Sequence, residues 1–212
     1  MSRRAGSSPI KTKNALIESA KKEFNRTGYR KSSLRDICSN ADVTTGALYF
    51  FFDGKEGIFR EIVTPVMDDL ENMLREHFER ESLKPDDAFV PDNSLDTSFA
   101  DTIMDYFFDH PVETGILMNN MDMPVVKDFI EKTIELMDDH NYELIKKNGP
   151  MAVDPEHFRK YTVHWFSRLE LESMLHLLSL GFDRETAAKQ MKYLINFLKA
   201  GFASFFCHNT AK

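Results

Sequence analysis

Apolar residues recur every three or four positions along nearly the whole chain, and this helical period limits the possible folds more than any other feature. No segment shows the convincing alternation of apolar and polar residues, bounded by turn residues, that is typical of a β-strand. Turn signals at His110-Pro111, Met123-Pro124, 148–150 and Gly181 divide the pattern. The sequence therefore predicts an all-α protein of about nine helices.

Capping residues mark the ends of the first helices. Ser8 is placed as an N-cap, and Thr27-Gly28 is a stop signal for the same helix. A second helix is expected to start at Ser32 or Ser33, both of which are good N-cap residues. It is expected to be short, because a turn follows within about ten residues.

A third helix is expected to open at Thr44 and to end near Asp53-Gly54, and a long fourth helix to reach about Glu81. The segment 84–93 breaks the helical pattern. The remaining helices are expected over roughly 94–109, 112–121, 124–147, 155–180 and 184–207.

Composition restricts the class of protein. A chain of 212 residues with 42% hydrophobic content can bury a core without help from a metal or a disulfide, so no cofactor is expected. Two cysteines, Cys38 and Cys207, fit a reducing compartment. No apolar run of about 18 residues exists, and the basic N-terminus lacks the apolar core of a signal peptide. We therefore expect a cytoplasmic protein without a membrane partner.

Charge is distributed unevenly along the chain. Residues 1–60 contain 12 Lys and Arg against 6 Asp and Glu, whereas the rest contains 15 against 28, although the whole chain has a net charge of −7. Such asymmetry suggests that the first sixty residues meet a polyanion and that the acidic remainder has another role.

The second and third predicted helices are short and joined by a tight turn, as in a helix-turn-helix. The third helix begins with the small or hydroxylated residues Thr44, Thr45 and Gly46, which permit close approach to the major groove. Leu48 and Phe52, four residues apart, are expected to anchor this helix to the first two. The sequence therefore predicts an N-terminal DNA-binding domain.

The first quarter of the chain resembles the TetR-type bacterial transcriptional regulators. The motif covers residues 10 to about 63 and is carried by Leu16-Ile17, Ala20, Phe24, Gly28-Tyr29, Ser32-Ser33, Asp36-Ile37, Ala41-Asp42-Val43, Gly46-Ala47-Leu48-Tyr49, Phe52, Lys55-Glu56 and Ile58-Phe59. The resemblance implies a three-helix DNA-binding domain over residues 1–54 and a larger helical domain over 55–212 for effector binding and dimerisation.

The resemblance also implies roles for individual residues. Thr44, Thr45 and Gly46 would meet base edges and the nearby backbone, while phosphate contacts would come from Ser33, Tyr49 and Lys55. Arg3, Arg4, Lys11 and Lys13 would form a basic arm that follows the backbone or enters a minor groove.

Three positions depart from the family pattern. Asp42 replaces a glycine in the turn, where Asp tolerates a left-handed backbone at some cost. Phe51 replaces a histidine that often binds a phosphate, and it cannot donate a hydrogen bond. Thr45 replaces a residue that is often basic, so base recognition would use methyl and hydroxyl contacts to thymine or adenine.

The acidic part of the chain holds 13 of the 18 Phe and 10 of the 11 Met, most of which are expected in the core. Since the family's C-terminal domain usually binds a small molecule, some of these side chains are expected to line a pocket. The expected lining consists of Met67, Phe107, Met118, Met121, Phe129, Trp165 and Arg168. Arg168 belongs to a polar stripe that includes His164, Glu172 and His176 and that is either an exposed ladder or the edge of the pocket.

The last two predicted helices are long and apolar, and a pair like this can form a four-helix homodimer interface. The resemblance implies the same arrangement. The resulting hypothesis is a dimeric repressor that a small, partly apolar ligand releases from a palindromic operator by tilting the long fourth helix. The alternative is a DNA-binding helical dimer whose C-terminal domain binds a protein partner.

An enzyme is the rival from another class. The sequence contains no nucleophile elbow, phosphate-cradling glycine loop, zinc signature or paired cysteines, so we expect no catalytic or metal site. The seven histidines are scattered, and the cluster Asp138-Asp139-His140 is interpreted as a solvated helix face.

Overall fold

The chain folds into nine α-helices within the residues that the computed structural model describes, which are 8–83, 94–148 and 158–203. The helices are α1 (Pro9–Thr27), α2 (Leu34–Asn40), α3 (Thr45–Phe51), α4 (Gly54–Ser82), α5 (Ser94–Asp109), α6 (Pro111–Met118), α7 (Pro124–Asn148), α8 (His164–Ser179) and α9 (Arg184–Ala203). A short π-helical segment, Phe158–Val163, leads directly into α8. The all-α prediction is confirmed, and these residues contain no β-strand.

The ends of α1 follow the predicted capping signals. The Ser8 hydroxyl accepts a hydrogen bond from the Lys11 amide, and Pro9 occupies the first helical position. At the other end Gly28 has a φ of 79°, and its amide donates to the Phe24 carbonyl over 2.9 Å. Glycine reaches this left-handed conformation without strain, so the chain can leave the helix sharply.

The described residues divide into two compact units. The first contains the chain up to Asp69 together with His110–Val126, and the second contains Leu70–Asp109 and the chain from Lys127 onward. The division predicted between residues 54 and 55 falls at the start of α4 and stays a prediction. Helix α4 supplies residues to both units.

The first unit is built around α1. Its core consists of apolar side chains that are almost fully buried: Leu16, Ala20, Phe24, Ile37, Cys38, Leu48, Phe52, Ile58 and Phe59. Phe24, Tyr29 and Phe59 form an aromatic cluster with ring centroids 4.9 to 6.5 Å apart. Helix α6 also packs on α1, and a salt bridge of 2.8 Å joins Lys21 to Glu113. The C-terminal domain predicted from the sequence, residues 55–212, had included α6.

The second unit has two apolar clusters. One joins α5 to α9 through Ala100, Met104, Met191 and their neighbours, and the other joins α7, α8 and α9 through Ile145, Phe166 and Leu198. Burial of these Met and Phe side chains agrees with the expectation that most of them form core. Among the described residues, no helix is both long enough and apolar enough to cross a membrane.

Candidate nucleic-acid interface

The turn between α2 and α3 has the tight geometry that a helix-turn-helix requires. Asp42 has a φ of 55°, which confirms the left-handed backbone predicted there. The Val43 amide then donates to the Cys38 carbonyl over 3.0 Å and closes the turn. Ser33 caps α2 by accepting from the Asp36 amide, so the predicted N-cap is also confirmed. These bonds fix the direction in which α3 leaves α2.

Helix α3 is anchored along one side and exposed along the other. Leu48 is fully buried and Phe52 is 6% exposed, as expected for the two anchors. Thr45, Gly46, Tyr49 and Phe50 are all exposed, and Gly46 and Phe50 lie on the side opposite the anchors. We call these four residues the outer face of α3. A helix held in this way can enter a groove without losing its own packing.

Thr44 and Thr45, the two threonines predicted to read bases, also have structural partners. The Thr44 hydroxyl caps α3 by accepting from the Ala47 amide over 3.2 Å, which leaves its hydrogen free to donate. Thr45 hydrogen-bonds the buried thiol of Cys38 in α2. Burial raises the pKa of that thiol, and the hydrogen bond from Thr45 opposes the shift. Both hydroxyls are therefore held in place before any DNA arrives.

Gly46 offers an open approach to the backbone of α3. A Cβ added there would meet nothing closer than the Thr44 hydroxyl oxygen at 3.9 Å. The fold itself therefore does not require glycine at this position. A contact outside the chain is the simpler reason for its small size, because glycine in a helix costs about 0.5–1 kcal/mol relative to alanine.

Lys55 lies in a different position from the one that the resemblance implied. Its ammonium group donates to the carbonyl oxygens of Tyr29, Arg30 and Ser32 at 2.8, 3.3 and 3.1 Å, and it lies 4.7 Å from the centre of the Tyr29 ring. Burial lowers the pKa of Lys55. An ammonium group has three hydrogens, and all three have acceptors within the loop between α1 and α2. This geometry argues against the phosphate contact and indicates a structural role.

Other basic side chains remain accessible around the candidate interface. Lys11, Lys31 and Arg35 are exposed, and Arg35 lies in the first turn of α2 beside Ser33. Lys31 and Arg35 were not among the predicted site residues, although their proximity to the Ser33 cap was a usable signal. Lys13 forms a salt bridge of 2.5 Å with Glu61, and Arg3 and Arg4 of the predicted arm lie outside the described residues.

Phe51 and Phe50 form an edge-to-face pair with ring centroids 5.0 Å apart. Phe51 is partly buried and also contacts Phe52 at 6.3 Å between centroids, so it serves packing. Phe50 is 78% exposed. Phe50 was not among the predicted site residues, although its place in the helical period, two residues from each of the two anchors, was a signal for outward exposure.

The residues predicted to line a ligand pocket do not all belong to one unit. Met67, Met118 and Met121 lie in the first unit, whereas Phe107, Phe129, Trp165 and Arg168 lie in the second. Trp165 is 58% exposed, which is a surface position rather than a cavity wall. Arg168 donates to Glu131 at 2.8 Å and to Glu172 at 3.1 Å, so the ladder interpretation of its stripe describes the structure.

Two cavities of ligand size, both open to solvent, lie in the second unit, and neither has the predicted lining. One of about 420 Å³ is lined by Ser82, His140, Glu143, Leu144 and Lys146. The other, of about 540 Å³, is lined by Arg75, Phe78, Glu79, Ser82, Leu83 and Leu136. Small-molecule sites typically have volumes of about 300–1,000 Å³.

A partly buried polar cluster lies beside the first cavity. His140 contacts the Glu81 carboxylate at 2.9 Å and stacks on Phe78 with ring centroids 3.8 Å apart. His77, which stacks on Phe99, lies 3.8 Å from the same carboxylate. Burial acts to raise the pKa of Glu81, but the hydrogen bond and charge of His140 and the charge of His77 outweigh it and lower the pKa.

Glu170 of α8 belongs to the same region. Burial of its carboxyl group and the charge of Glu81 raise its pKa to about 7, while a hydrogen bond from Asn141 opposes the shift. The interpretation of residues 138–140 as a solvated helix face is therefore wrong for His140. It is also wrong for Asp138, which contacts His164 at 2.8 Å. Among the described residues no group of three or more His, Cys, Asp or Glu is placed to hold a metal ion.

Comparison with known proteins finds a family match in the N-terminal part of the chain. Residues 16–62 match the model of the bacterial regulatory proteins, tetR family. This stretch begins in α1, contains the whole helix-turn-helix and ends in α4. The helix-turn-helix segment is therefore of the tetR type.

Curated relatives match about a third of the chain. It is 35% identical over 77 residues to the "Probable acrEF/envCD operon repressor" of Escherichia coli (strain K12), a match that covers 36% of the chain and 34% of that protein. It is 38% identical over 61 residues to the "HTH-type transcriptional repressor KstR2" of Rhodococcus jostii (strain RHA1), covering 29% and 30%. The matches thus span about a third of the relatives' length.

Solved structures share the fold of nearly the whole chain. Salmonella enterica GusR superposes with a TM-score of 0.58 and 19% identity, covering 94% of this chain and 97% of that one. A TetR family transcriptional regulator from Chloroflexus aurantiacus J-10-FL gives 0.56 and 14%, covering 91% and 94%. The likeness in fold therefore extends beyond the segment that the family model matches.

Proposed function

We propose that this chain is a DNA-binding transcriptional regulator that reads duplex DNA with the outer face of α3. The observation that carries the proposal is the anchoring of α3 by Leu48 and Phe52, which leaves Thr45, Gly46 and Tyr49 exposed. The excess of Lys and Arg over Asp and Glu in residues 1–60 supports it, since neutralised phosphates supply much of the affinity of such proteins.

The proposed regulator acts as a homodimer through α8 and α9. The two helices pack on each other, and each carries exposed apolar residues at a spacing of four: Tyr161, Trp165 and Leu169 leading into and along α8, and Tyr193 and Phe197 on α9. Exposed apolar residues in such a row are characteristic of an association surface. Two copies of α3 would double the free energy of base recognition on a palindrome.

Repression that is released by a small, partly apolar ligand is the form of regulation that we propose. The names of the E. coli and Rhodococcus relatives describe repressors, and the second unit contains cavities of ligand size. Helix α4 supplies residues to both units and is the element through which a ligand would act. A typical coupling of about 1–3 kcal/mol would weaken operator binding about 5- to 150-fold.

Selection of bound fragments from the source organism's genome tests the function. The wild-type protein should enrich fragments that share a palindromic sequence. The Thr45→Ala variant should relax the preference at one base of each half-site by about 1–3 kcal/mol. Equal losses on all duplexes would contradict the assignment of Thr45 as a base-reading residue, and absence of enrichment would contradict DNA binding itself.

A screen for compounds that release the protein from the selected operator distinguishes regulation by a small molecule from regulation by a protein partner. Small, partly apolar compounds are expected to release the protein from DNA and to raise its melting temperature. If no compound does so and a protein co-purifying with the chain releases it instead, the second unit binds a protein partner.

A further inference from the structure

The most outward side chain of α3 is an aromatic ring. An α-helix turns by about 100° per residue, so the direction midway between the anchors Leu48 and Phe52 lies roughly opposite Phe50. The structure agrees, because the two anchors are 0% and 6% exposed while Phe50 is 78% exposed. A phenyl ring placed in water in this way is unfavourable unless a partner covers it.

The surroundings leave this ring free to meet a partner and hold it in one orientation. Gly46 precedes Phe50 by one helical turn on the same side and has no side chain to shield it. Phe51 contacts the ring edge-to-face with an interplanar angle of 87°. The Phe50 ring therefore projects from the middle of the outer face of α3 rather than from its margin.

Duplex DNA presents one apolar group in the major groove, the 5-methyl group of thymine, and phenylalanine is among the side chains that contact it. We propose that Phe50 packs on a thymine methyl group in each half-site and is a specificity-determining residue of the operator. This inference rests on the proposed function, since it requires α3 to lie in the major groove. Tyr49 and the threonines carry hydroxyls for polar contacts, whereas Phe50 can distinguish bases only through apolar contact.

Replacement of thymine by deoxyuridine tests the inference, because deoxyuridine pairs identically and lacks only the methyl group. On the selected operator, the wild-type protein should lose affinity about fourfold when the contacted thymine of one half-site is replaced, which corresponds to one methyl group removed from an apolar contact. Each thymine is replaced in turn, and the positions without an effect are the internal controls.

The Phe50→Ala variant completes a double-mutant cycle. It should bind the thymine operator more weakly than the wild type and lose nothing further when the contacted thymine becomes deoxyuridine. The Phe50→Leu variant, which keeps an apolar side chain, should retain part of the methyl dependence. Circular dichroism checks that both variants fold, as expected for substitutions of an exposed residue.

Three outcomes would overturn the inference. If no thymine replacement affects the wild type, or if Phe50→Ala keeps the wild-type response at every position, the ring does not read a methyl group. If Phe50→Ala changes only the oligomeric state, the ring belongs to a contact between copies. If the protein binds its operator but Phe50 and the thymine methyl group are not coupled, only this inference is removed. If the protein binds no duplex at all, the proposed function is removed as well.

Discussion

At Gly46 the residue that would best stabilise the fold differs from the residue that would best fit the DNA partner. The structure has room for a methyl group there, and the helix would gain from it. The residue lies on the outer face of α3, where any added atom would stand between the backbone and a groove. Its small size is therefore explained by the proposed interface and not by packing.

The Gly46→Ala variant should be more stable than the wild type and bind DNA less well. We expect a gain of about 0.5 kcal/mol in the free energy of unfolding. Operator affinity should fall at least about tenfold, because the methyl group keeps α3 from the bases. Chemical denaturation and fluorescence anisotropy measure the two effects. Gly115→Ala in α6, another open helical glycine of the first unit, is the control and should leave DNA affinity unchanged.

At Lys55 we predict the opposite of Gly46→Ala: a substitution that lowers stability and leaves the DNA contact unchanged. Lys55→Met removes the ammonium group and keeps an apolar stem, so three carbonyl oxygens lose a charged donor. The free energy of unfolding should fall by about 1–3 kcal/mol. The dependence of DNA affinity on salt concentration should not change. A salt dependence weaker by about one phosphate contact would show instead that Lys55 leaves the loop to bind DNA.

At the scale of helices, most of the fold could be predicted because its signals are local. The caps at Ser8 and Ser33, the stop at Gly28 and the left-handed turn at Asp42 all depend on residues within one or two turns. The packing of α6 on α1 could not be predicted, since it depends on contacts about ninety residues apart that leave no periodic pattern.

The difference between local signals and contacts distant in sequence also explains which parts of the candidate sites could be predicted. Helical period was enough to identify Leu48 and Phe52 as the anchors of α3. The partners of Lys55 are carbonyl oxygens in a loop, and the partners of His140 lie on α4. Neither relationship is visible in residue spacing. The ligand residues were chosen by residue type, which does not show whether a side chain such as Trp165 is buried or exposed.

The buried carboxyl group of Glu170 makes the stability of the second unit depend on pH. Its folded-state pKa of about 7 lies above the ordinary value of 4.5, so its contribution to stability is fully present below pH 4.5 and is lost as pH rises through 7. Glu81 has a lowered pKa, and its contribution is lost only as pH falls below 4.5. The window between pH 5 and 8 therefore reports on Glu170 when a variant is compared with the wild type.

The Glu170→Gln variant should remove the cost of ionising this carboxyl group. At pH 8 its free energy of unfolding should exceed that of the wild type by about 2 kcal/mol, and the difference should shrink towards pH 5. Urea denaturation at several pH values measures it. Glu172→Gln on the same helix controls for the loss of a carboxylate. A difference that is constant between pH 5 and 8 would contradict the raised pKa.

At the scale of the whole molecule, the proposed function depends on pairing two copies of α3. The exposed apolar residues of α8 and α9 are the proposed pairing surface, and α4 supplies residues to both units of each copy.

Trp165→Glu and Phe197→Glu test the pairing surface. Each change places a charge at a large exposed apolar residue and should raise the dissociation constant of the dimer at least about 30-fold, the effect of losing about 2 kcal/mol at an interface hot spot. Sedimentation velocity measures it. Leu83→Glu alters another exposed apolar residue, which directly follows α4, and is the control. If the chain sediments as a monomer before any substitution, the surface has another partner.

The decisive measurement is the affinity of the purified chain for its selected operator and for a scrambled duplex of the same composition, over a range of salt concentrations. If α3 reads DNA, the operator should bind at least about 1,000-fold more tightly than the scrambled duplex at physiological salt. Both affinities should fall steeply as salt is raised. Equal affinity for the two duplexes, or no binding to either at low salt, would contradict the claim that the outer face of α3 reads DNA.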